Sequence, residues 1–361
     1  MKYLVTAGGT GGHIYPAIAI INKIKQNDKE AEILYVGTTN RMEKDIIPNL
    51  GLNYVGIDMC GLSKNPIKII KFGCNFVSGI GKSKKIIKEF QPNIVVGVGG
   101  YITAPVIMAA SKLNIPTLLH EQNSVPGKAN NFLSKYVDTI CVSMKSSLEY
   151  FPKEKTVFTG NPRSEEIILG EKGNKKDYNL NPSKKLVLIV NGSLGASTIN
   201  QKIVELLPSF ENKNYEVLLA TGKQDYDNIR VKNHVANVKI VPYIEDMAGI
   251  LKNTDLIISR AGASTIAEIT ALGIPSILIP SPYVANNHQY LNAKYLSDNN
   301  ACYLLEERFF DETTLINKID EILNDKVEYN KLVNNAKKLG VMDSSTKIYE
   351  EISKLLNKGG K

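Results

Sequence analysis

The chain opens on "KYLVTAGGTGGHIYPAIAI" (residues 2–20), an apolar, β-branched run that gives way to four glycines, a threonine and a histidine before an amphipathic stretch begins. Residues 2–7 read as a buried strand and the stretch after the glycines as a helix, so the loop joins the first two elements of a βαβ unit. Glycine at 8, 9, 11 and 12 admits positive φ and close approach of a ligand. The helix that follows turns unpaired N–H groups and its positive dipole end toward the loop. A diphosphate suits such a place. The alternative is a tight strand-to-helix turn that holds nothing.

The same pattern recurs along the chain. Strands are predicted at "KYLVTA", "EILYVG", "NIVVGVG", "TLLHEQ", "TICVS" and "TVFTG", alternating with helical stretches. After a polar, lysine-rich connection (165–185) the pattern restarts with "LVLIVNGSLGASTINQKIVELL" (186–207), followed by "YEVLLATG", "VKIVPYI", "DLIISRAG" and "SILIPSP". This alternation predicts parallel sheets with right-handed crossovers. The expected fold class is α/β, with two doubly wound Rossmann-like domains facing across a cleft into which the carboxyl ends of the strands look. The expected boundaries are 1–162 and 163–340, with 341–361 forming a C-terminal helix that packs back on the first domain.

Composition narrows the function. The 361 residues are 43% hydrophobic and 22% charged, as in soluble proteins with real cores, and the length suits two domains. A net charge of +8 favours an anionic partner: nucleic acid, a phosphorylated small molecule or a membrane surface. Nucleic acid is the least favoured, because neither stacking aromatics nor a recognisable motif is present. Cys60, Cys74, Cys141 and Cys302 show no paired spacing and read as buried apolar residues in a reducing cytoplasm. Gly8 interrupts the first apolar run too early for a secretory leader, which predicts an intracellular protein. "IVVGVGGYITAPVIMAA" (94–110) carries three glycines and Pro105, and reads as strand, loop and helix rather than a membrane span.

Several phosphate and metal motifs are excluded. A dinucleotide fingerprint starting at Gly9 requires a small residue where Ile14 stands, and "ILYVGTTN" lacks the acid that holds a ribose. "GKS" (81–83) has Phe76 where a triphosphate-binding loop needs its first glycine. "DYD" (225–227) reads as surface acids on an exposed helix, and His13, His120, His234 and His288 lack ligand spacing, so no protein-bound metal is predicted. His13 is different. At the lip of a glycine loop beside a helix start, it is expected to stay neutral and to serve either as a general base or only as a loop-bracing hydrogen-bonding group.

In the second half, "SRAGASTIAEITALGIPSILIP" (259–280) places Gly262, Ser264 and Thr265 before an amphipathic helix, a second diphosphate site. Glu268, about one turn inside, suits both hydroxyls of a ribose, or else is a capping acid. "ANNHQYLNAKYL" (285–296) adds amide side chains for sugar hydroxyls.

Taken in order, "GGTGGHIYPAIAI", "GVGGYITAP", "LHEQNSVPGKANNFL", "TGNP", "NGSLGASTIN", "PYIEDM", "SRAGASTIAEI" and "NHQYLNA" resemble the MurG family of glycosyltransferases (glycosyltransferase family 28) from residue 3 to about 296. The resemblance implies the glycosyltransferase-B fold, no cofactor and no metal bridge to the nucleotide. It implies inverting transfer of N-acetylglucosamine (GlcNAc) from UDP-GlcNAc to undecaprenyl-diphospho-MurNAc-pentapeptide (lipid I) in peptidoglycan biosynthesis, at the cytoplasmic face of the cell membrane. By motif, it implies that Thr10, Gly11, Gly12 and Asn123 contact the sugar nucleotide, that Arg163 and Ser193 meet the diphosphate, and that Ile244 presents backbone to uracil. Ala263, Ser264, Thr265, Ile266, Ala267 and Glu268 correspond to the nucleotide segment, with Glu268 on the ribose, and Gln289 to the residue on the GlcNAc hydroxyls. The opening loop then cradles the acceptor's diphosphate, with His13 as the base on the MurNAc 4-hydroxyl. The chain departs from the family's pattern at Asn161–Arg163, one residue shorter than usual, at Asn191 and at His288.

A lipid acceptor calls for a membrane-facing surface. Residues 64–90 space Ile69, Phe72, Phe76, Ile80 and Ile87 almost as a helix does, among seven lysines and one glutamate, which fits peripheral contact with an anionic membrane surface. An ordinary core-facing helix is the alternative, and Gly79 and Gly81 weigh against one long helix. The rival functions are a diacylglycerol glycosyltransferase, a UDP-GlcNAc 2-epimerase and a non-catalytic nucleotide-sugar sensor.

Overall fold

The opening stretch forms β1 (Lys2–Ala7) and α1 (Gly11–Asn27) in a computed structural model that describes residues 1–59, 61, 66–191 and 197–358, with the side chains of 66–71 and 285 not described. The chain divides into two compact units, Met1–Arg163 with Asp343–Lys361, and Ser164–Met342. In the first, α1 is followed by β2 (Glu32–Thr38), α2 (Glu43–Asn49), β3 (Asn53–Ile57), α3 (Pro66–Phe90), β4 (Ile94–Gly99), α4 (Thr103–Lys112), β5 (Thr117–Glu121), α5 (Lys128–Leu133), β6 (Thr139–Val142) and β7 (Thr156–Phe158). In the second, α6 (Arg163–Leu169) leads from the division into β8 (Lys185–Val190), α7 (Ser197–Glu205), β9 (Tyr215–Ala220), α8 (Tyr226–Arg230), β10 (Val238–Val241), α9 (Met247–Leu251) and β11 (Leu256–Ser259). Then come α10 (Ala263–Leu272), β12 (Ser276–Leu278), α11 (His288–Asp298), β13 (Tyr303–Leu304), α12 (Glu312–Asn324) and α13 (Lys326–Leu339), and α14 (Ser344–Lys358) returns to the first unit.

The first sheet is parallel, in the order β3-β2-β1-β4-β5-β6-β7. The chain moves outward from β1 to β3, then starts again on the other side of β1 with β4. That reversal opens a crevice at the carboxyl ends of β1 and β4, and the glycine loops after both strands leave the sheet there. A parallel sheet needs cover on both faces. One face packs Ile14, Ile20, Ile21 and Ile24 of α1 with Ile348, Ile352 and Leu355 of α14. The other packs Ile87 of α3, Val106 and Ile107 of α4 and Leu133 of α5. Ser344 and Ser345 tie α14 down by donating to the carbonyls of Asn161 and Pro162, at 2.6 and 2.9 Å.

The second sheet, β10-β9-β8-β11-β12-β13, is also parallel and reverses between β8 and β11. Its core joins Val187, Ile189, Leu219, Ile258 and Ile277 of the sheet to apolar residues of α7, α12 and α13.

Four features differ from the sequence reading. The edge strands β3 and β13 lack the continuous apolar run of the inner strands: β3 is only partly buried and β13 spans two half-buried residues. The C-terminal helix expected from residue 341 begins instead at Ser344, as α14. α3 is one unbroken helix of 25 residues, and Gly79 is where it meets its neighbours. A Cβ there would lie 3.1 Å from Met59 Sδ and 3.3 Å from Pro105. Cys74 is exposed on α3, whereas Cys141 and Cys302 are buried, their thiols pushed up by burial, that of Cys302 to about 12. Cys60 lies outside the described residues.

The basic, apolar segment divides its side chains. Ile87 is buried and Phe76 and Ile80 pack partly against the core, while Val77 is 70% exposed and Lys82, Lys85 and Lys88 face solvent. Phe72 stacks on Phe76 with centroids 6.0 Å apart. Lys64 and Asn65 lie outside the described residues. No described helix is long and apolar enough to cross a membrane.

Candidate active site

Two glycine loops meet at the reversal of the first sheet. The N–H of Gly8 donates to the carbonyl of Gly99 at 3.2 Å, and a Cβ on Gly100 would lie 2.3 Å from the Gly8 oxygen. Gly9 adopts φ +96°, a value only glycine takes readily. Thr10 occupies the N-cap position of α1 and is exposed, and its hydroxyl makes no capping bond. Gly11 and Gly12 begin the helix, so their N–H groups point outward without intrahelical acceptors.

His13 stands on the first turn of α1, half-buried. Its Nδ1 lies 3.2 Å from the Gly8 oxygen. A carbonyl can only accept, so the proton sits on Nδ1 and the lone pair on Nε2. The ring lies flush on Gly99, where a Cβ would come within 2.8 Å of Cδ2.

Beside it, the "HEQN" turn after β5 is organised by a carboxylate that the sequence reading passed over. Glu121 is 1% exposed. Its Oε1 accepts from the backbone N and Nδ2 of Asn123 (2.9 and 3.2 Å), and its Oε2 from the Gly127 N and Asn130 Nδ2 (3.1 and 2.9 Å). Asn123, a predicted substrate contact, is thereby fixed, and its carbonyl accepts from Ser147 Oγ at 2.6 Å. His120 is fully buried, accepting from Gln122 Nε2 at Nδ1 and donating from Nε2 to the Gly160 oxygen. Burial pulls its pKa down to about 4, with nearby His13 adding to the effect. Arg163, at the start of α6, lies over the Tyr15 ring with 5.8 Å to the centroid.

In the second unit, α10 starts at Ala263 beneath its N-cap Gly262. Ala263, Ile266 and Ala267 are buried, whereas Ser264 and Thr265 are half-buried at the helix mouth. The Ser264 hydroxyl is buried with no hydrogen-bond partner among the described residues. Glu268 is buried and lies beyond the first turn, which holds no acid, so it does not cap the helix. Asn292 Nδ2 braces the loop before α10 by donating to the Ala261 oxygen at 3.2 Å. Arg260, at the end of β11, pairs with Glu307 at 2.8 Å and donates to the Ile279 oxygen, both side chains nearly buried. The sequence reading placed Asn292 among the amides for sugar hydroxyls, whereas here it braces the loop; Arg260 was not predicted, since a buried guanidinium has no local pattern to betray it.

Gln289 uses Oε1 to accept from the Ser281 N at 2.9 Å, which turns its NH2 elsewhere. Ile244 is buried at 1% after β10. Ser193 lies outside the described residues. Asp225 is more than a surface acid: it accepts from Asn200 Nδ2 (2.8 Å) and Ser197 Oγ (3.2 Å), anchoring α7.

The glycosyltransferase family 28 N-terminal and C-terminal domain families match residues 3–142 and 186–348. The UDP-N-acetylglucosamine--N-acetylmuramyl-(pentapeptide) pyrophosphoryl-undecaprenol N-acetylglucosamine transferase 1 of Bacillus cereus is 46% identical, over 99% of this chain and all of its own. The transferase of the same name from Bacillus cytotoxicus is 47% identical at the same coverage. Among solved structures, MurG of Acinetobacter baumannii matches with TM-score 0.77 and 26% identity over 98% of this chain and 99% of its own. A putative UDP-N-acetylglucosamine 2-epimerase from Listeria monocytogenes shares the fold, with TM-score 0.74 at 12% identity over 99% and 97%.

Proposed function

The chain belongs to glycosyltransferase family 28, and from that premise we infer that it moves GlcNAc from UDP-GlcNAc to the lipid-linked MurNAc-pentapeptide, converting lipid I to lipid II. The observation that carries this reading is the full-length likeness to transferases named for that reaction. The epimerase likeness, at 12% identity, speaks for the fold alone.

The 4-hydroxyl of MurNAc attacks the anomeric carbon in line. A bond from that oxygen to C1 forms as the C1–O bond to UDP breaks, UDP leaves with the electron pair, and the proton passes to His13 Nε2. Support for His13 comes from its Nδ1 contact with Gly8, which leaves the lone pair on Nε2. The first-turn N–H groups of α1 suit the acceptor's diphosphate. The Ser264 hydroxyl and the α10 dipole suit the leaving UDP, Glu268 the ribose, and the NH2 of Gln289 a sugar hydroxyl. The exposed side of α3, with Val77 beside Lys82, Lys85 and Lys88, suits an anionic leaflet, which supports the reading of a peripheral enzyme working at the cytoplasmic face of the membrane.

His13→Ala tests the base. We expect kcat to fall roughly 10²- to 10⁴-fold with the Kd for UDP-GlcNAc unchanged. A variant that turns over like the parent rejects His13 in this role.

A further inference from the structure

Glu43 opens α2, yet its side chain is fully buried, a costly place for a carboxylate unless its oxygens are satisfied. Oε1 accepts from the backbone N (3.1 Å) and the hydroxyl (2.7 Å) of Thr38, and Oε2 accepts from the Gly9 N at 3.2 Å. Two glycines make room for it: a Cβ on Gly8 would lie 2.5 Å from Oε1, and one on Gly37 2.7 Å from Cγ. The N–H of Gly9 and the C=O of Gly8 belong to the same peptide unit, and that carbonyl accepts from His13 Nδ1 at 3.2 Å. Carboxylate, peptide group and imidazole therefore form one unbroken hydrogen-bonded line.

Resting on the reading of His13 as the base, we propose that Glu43 is a positioning residue that orients and tunes His13 through the Gly8–Gly9 peptide. In catalytic triads a buried carboxylate does this by direct contact; here a peptide group stands between. A carboxylate drawing on the peptide N–H polarises the C=O and makes it a stronger acceptor. The proton is thereby held on Nδ1, the lone pair faces the acceptor from Nε2, and the imidazolium formed during transfer gains a counter-charge. Gly8 thus makes room for Glu43 rather than the ligand, and Gly37 for Glu43 together with Tyr54.

The groups facing this line keep their charge across neutral pH. His120, toward His13, is neutral because burial lowers it to about 4. Tyr35 and Tyr54, against Glu43, are held protonated by burial and by its charge. Arg41 is raised by its bond to Tyr101 and by Glu43 and stays cationic.

Glu43→Gln keeps the shape and removes the charge. We expect kcat to fall roughly tenfold to a hundredfold with KM for UDP-GlcNAc unchanged, and the acidic limb of the kcat–pH profile to move to lower pH as the imidazolium loses its counter-charge. A lower kcat with the limb unmoved, or an unchanged kcat, overturns the proposal. His13→Ala run alongside separates the two ideas, since parent-like turnover there rejects the base whatever Glu43 does. Nitrogen-15 shifts of the ring give a readout independent of activity: above its titration, parental His13 carries its proton on Nδ1, and Glu43→Gln moves population toward the Nε2–H tautomer. A parental ring protonated on Nε2 contradicts the proposal. Should Glu43→Gln not fold, the Gly9 amide proton of the parent serves instead, expected to shift as His13 titrates; no response overturns the link.

Discussion

His13 and His120 belong to the same unit but have opposite circumstances. His13 is half-buried on a helix start, while His120 is sealed under the "HEQN" turn with a pKa of about 4 against an ordinary 6.5. Because the folded value lies below the unfolded one, the unfolded chain binds the extra proton. His120's contribution is therefore complete above about pH 6.5 and is lost as pH falls toward 4. Between pH 7 and 5 the loss is about 2 kcal/mol. His120→Gln should flatten that part of the stability–pH curve measured by urea unfolding; an unchanged slope would show that His120 does not carry it. Ser264 offers a second test, since a buried hydroxyl without a partner costs about 1 kcal/mol or more. Ser264→Ala is expected to raise stability by about 1 kcal/mol while weakening UDP-GlcNAc binding. Loss of stability together with intact binding would mean the hydroxyl works for the fold instead.

Element by element, the inner strands were legible because each is a continuous apolar run bounded by glycine or polar residues, as in "LVLIV" and "DLIIS". β3 and β13 were not, because an edge strand is half-solvated and carries no continuous apolar run. The glycine loops read as ligand loops, and those after β1, β4 and β11 leave the sheets at their reversals, where such a ligand would sit. Which glycines serve the ligand was not legible, since Gly8 depends on Glu43, 35 positions on. α3 shows the same limit: propensity argued against a long helix through Gly79 and Gly81, and packing overrode it. A methyl group added to Gly73 or Gly81 would meet no atom of the described residues within 4 Å, unlike one added to Gly79. Gly73→Ala and Gly81→Ala should each stabilise by about 0.5–1 kcal/mol, and Gly79→Ala by less, as read from thermal unfolding. Equal gains at all three would mean that α3 does not need Gly79's close approach.

At the scale of the whole molecule, the last helix closes the first unit. Deleting 344–358 removes Ile348, Ile352 and Leu355 and uncovers the α1 face they cover, a loss on the order of 5 kcal/mol. The truncated chain should lose the first unit's cooperative unfolding transition in calorimetry; two intact transitions would place α14 outside that core. The same architecture serves transferases and epimerases alike, so fold cannot decide between them and chemistry must. The deciding measurement is transfer of labelled GlcNAc from UDP-GlcNAc to a short-chain lipid I analogue, in EDTA, with the product linkage determined. Catalytic formation of a disaccharide joined β at the MurNAc 4-hydroxyl is the predicted result. Binding of UDP-GlcNAc without transfer, or its conversion to the 2-epimer, would contradict it.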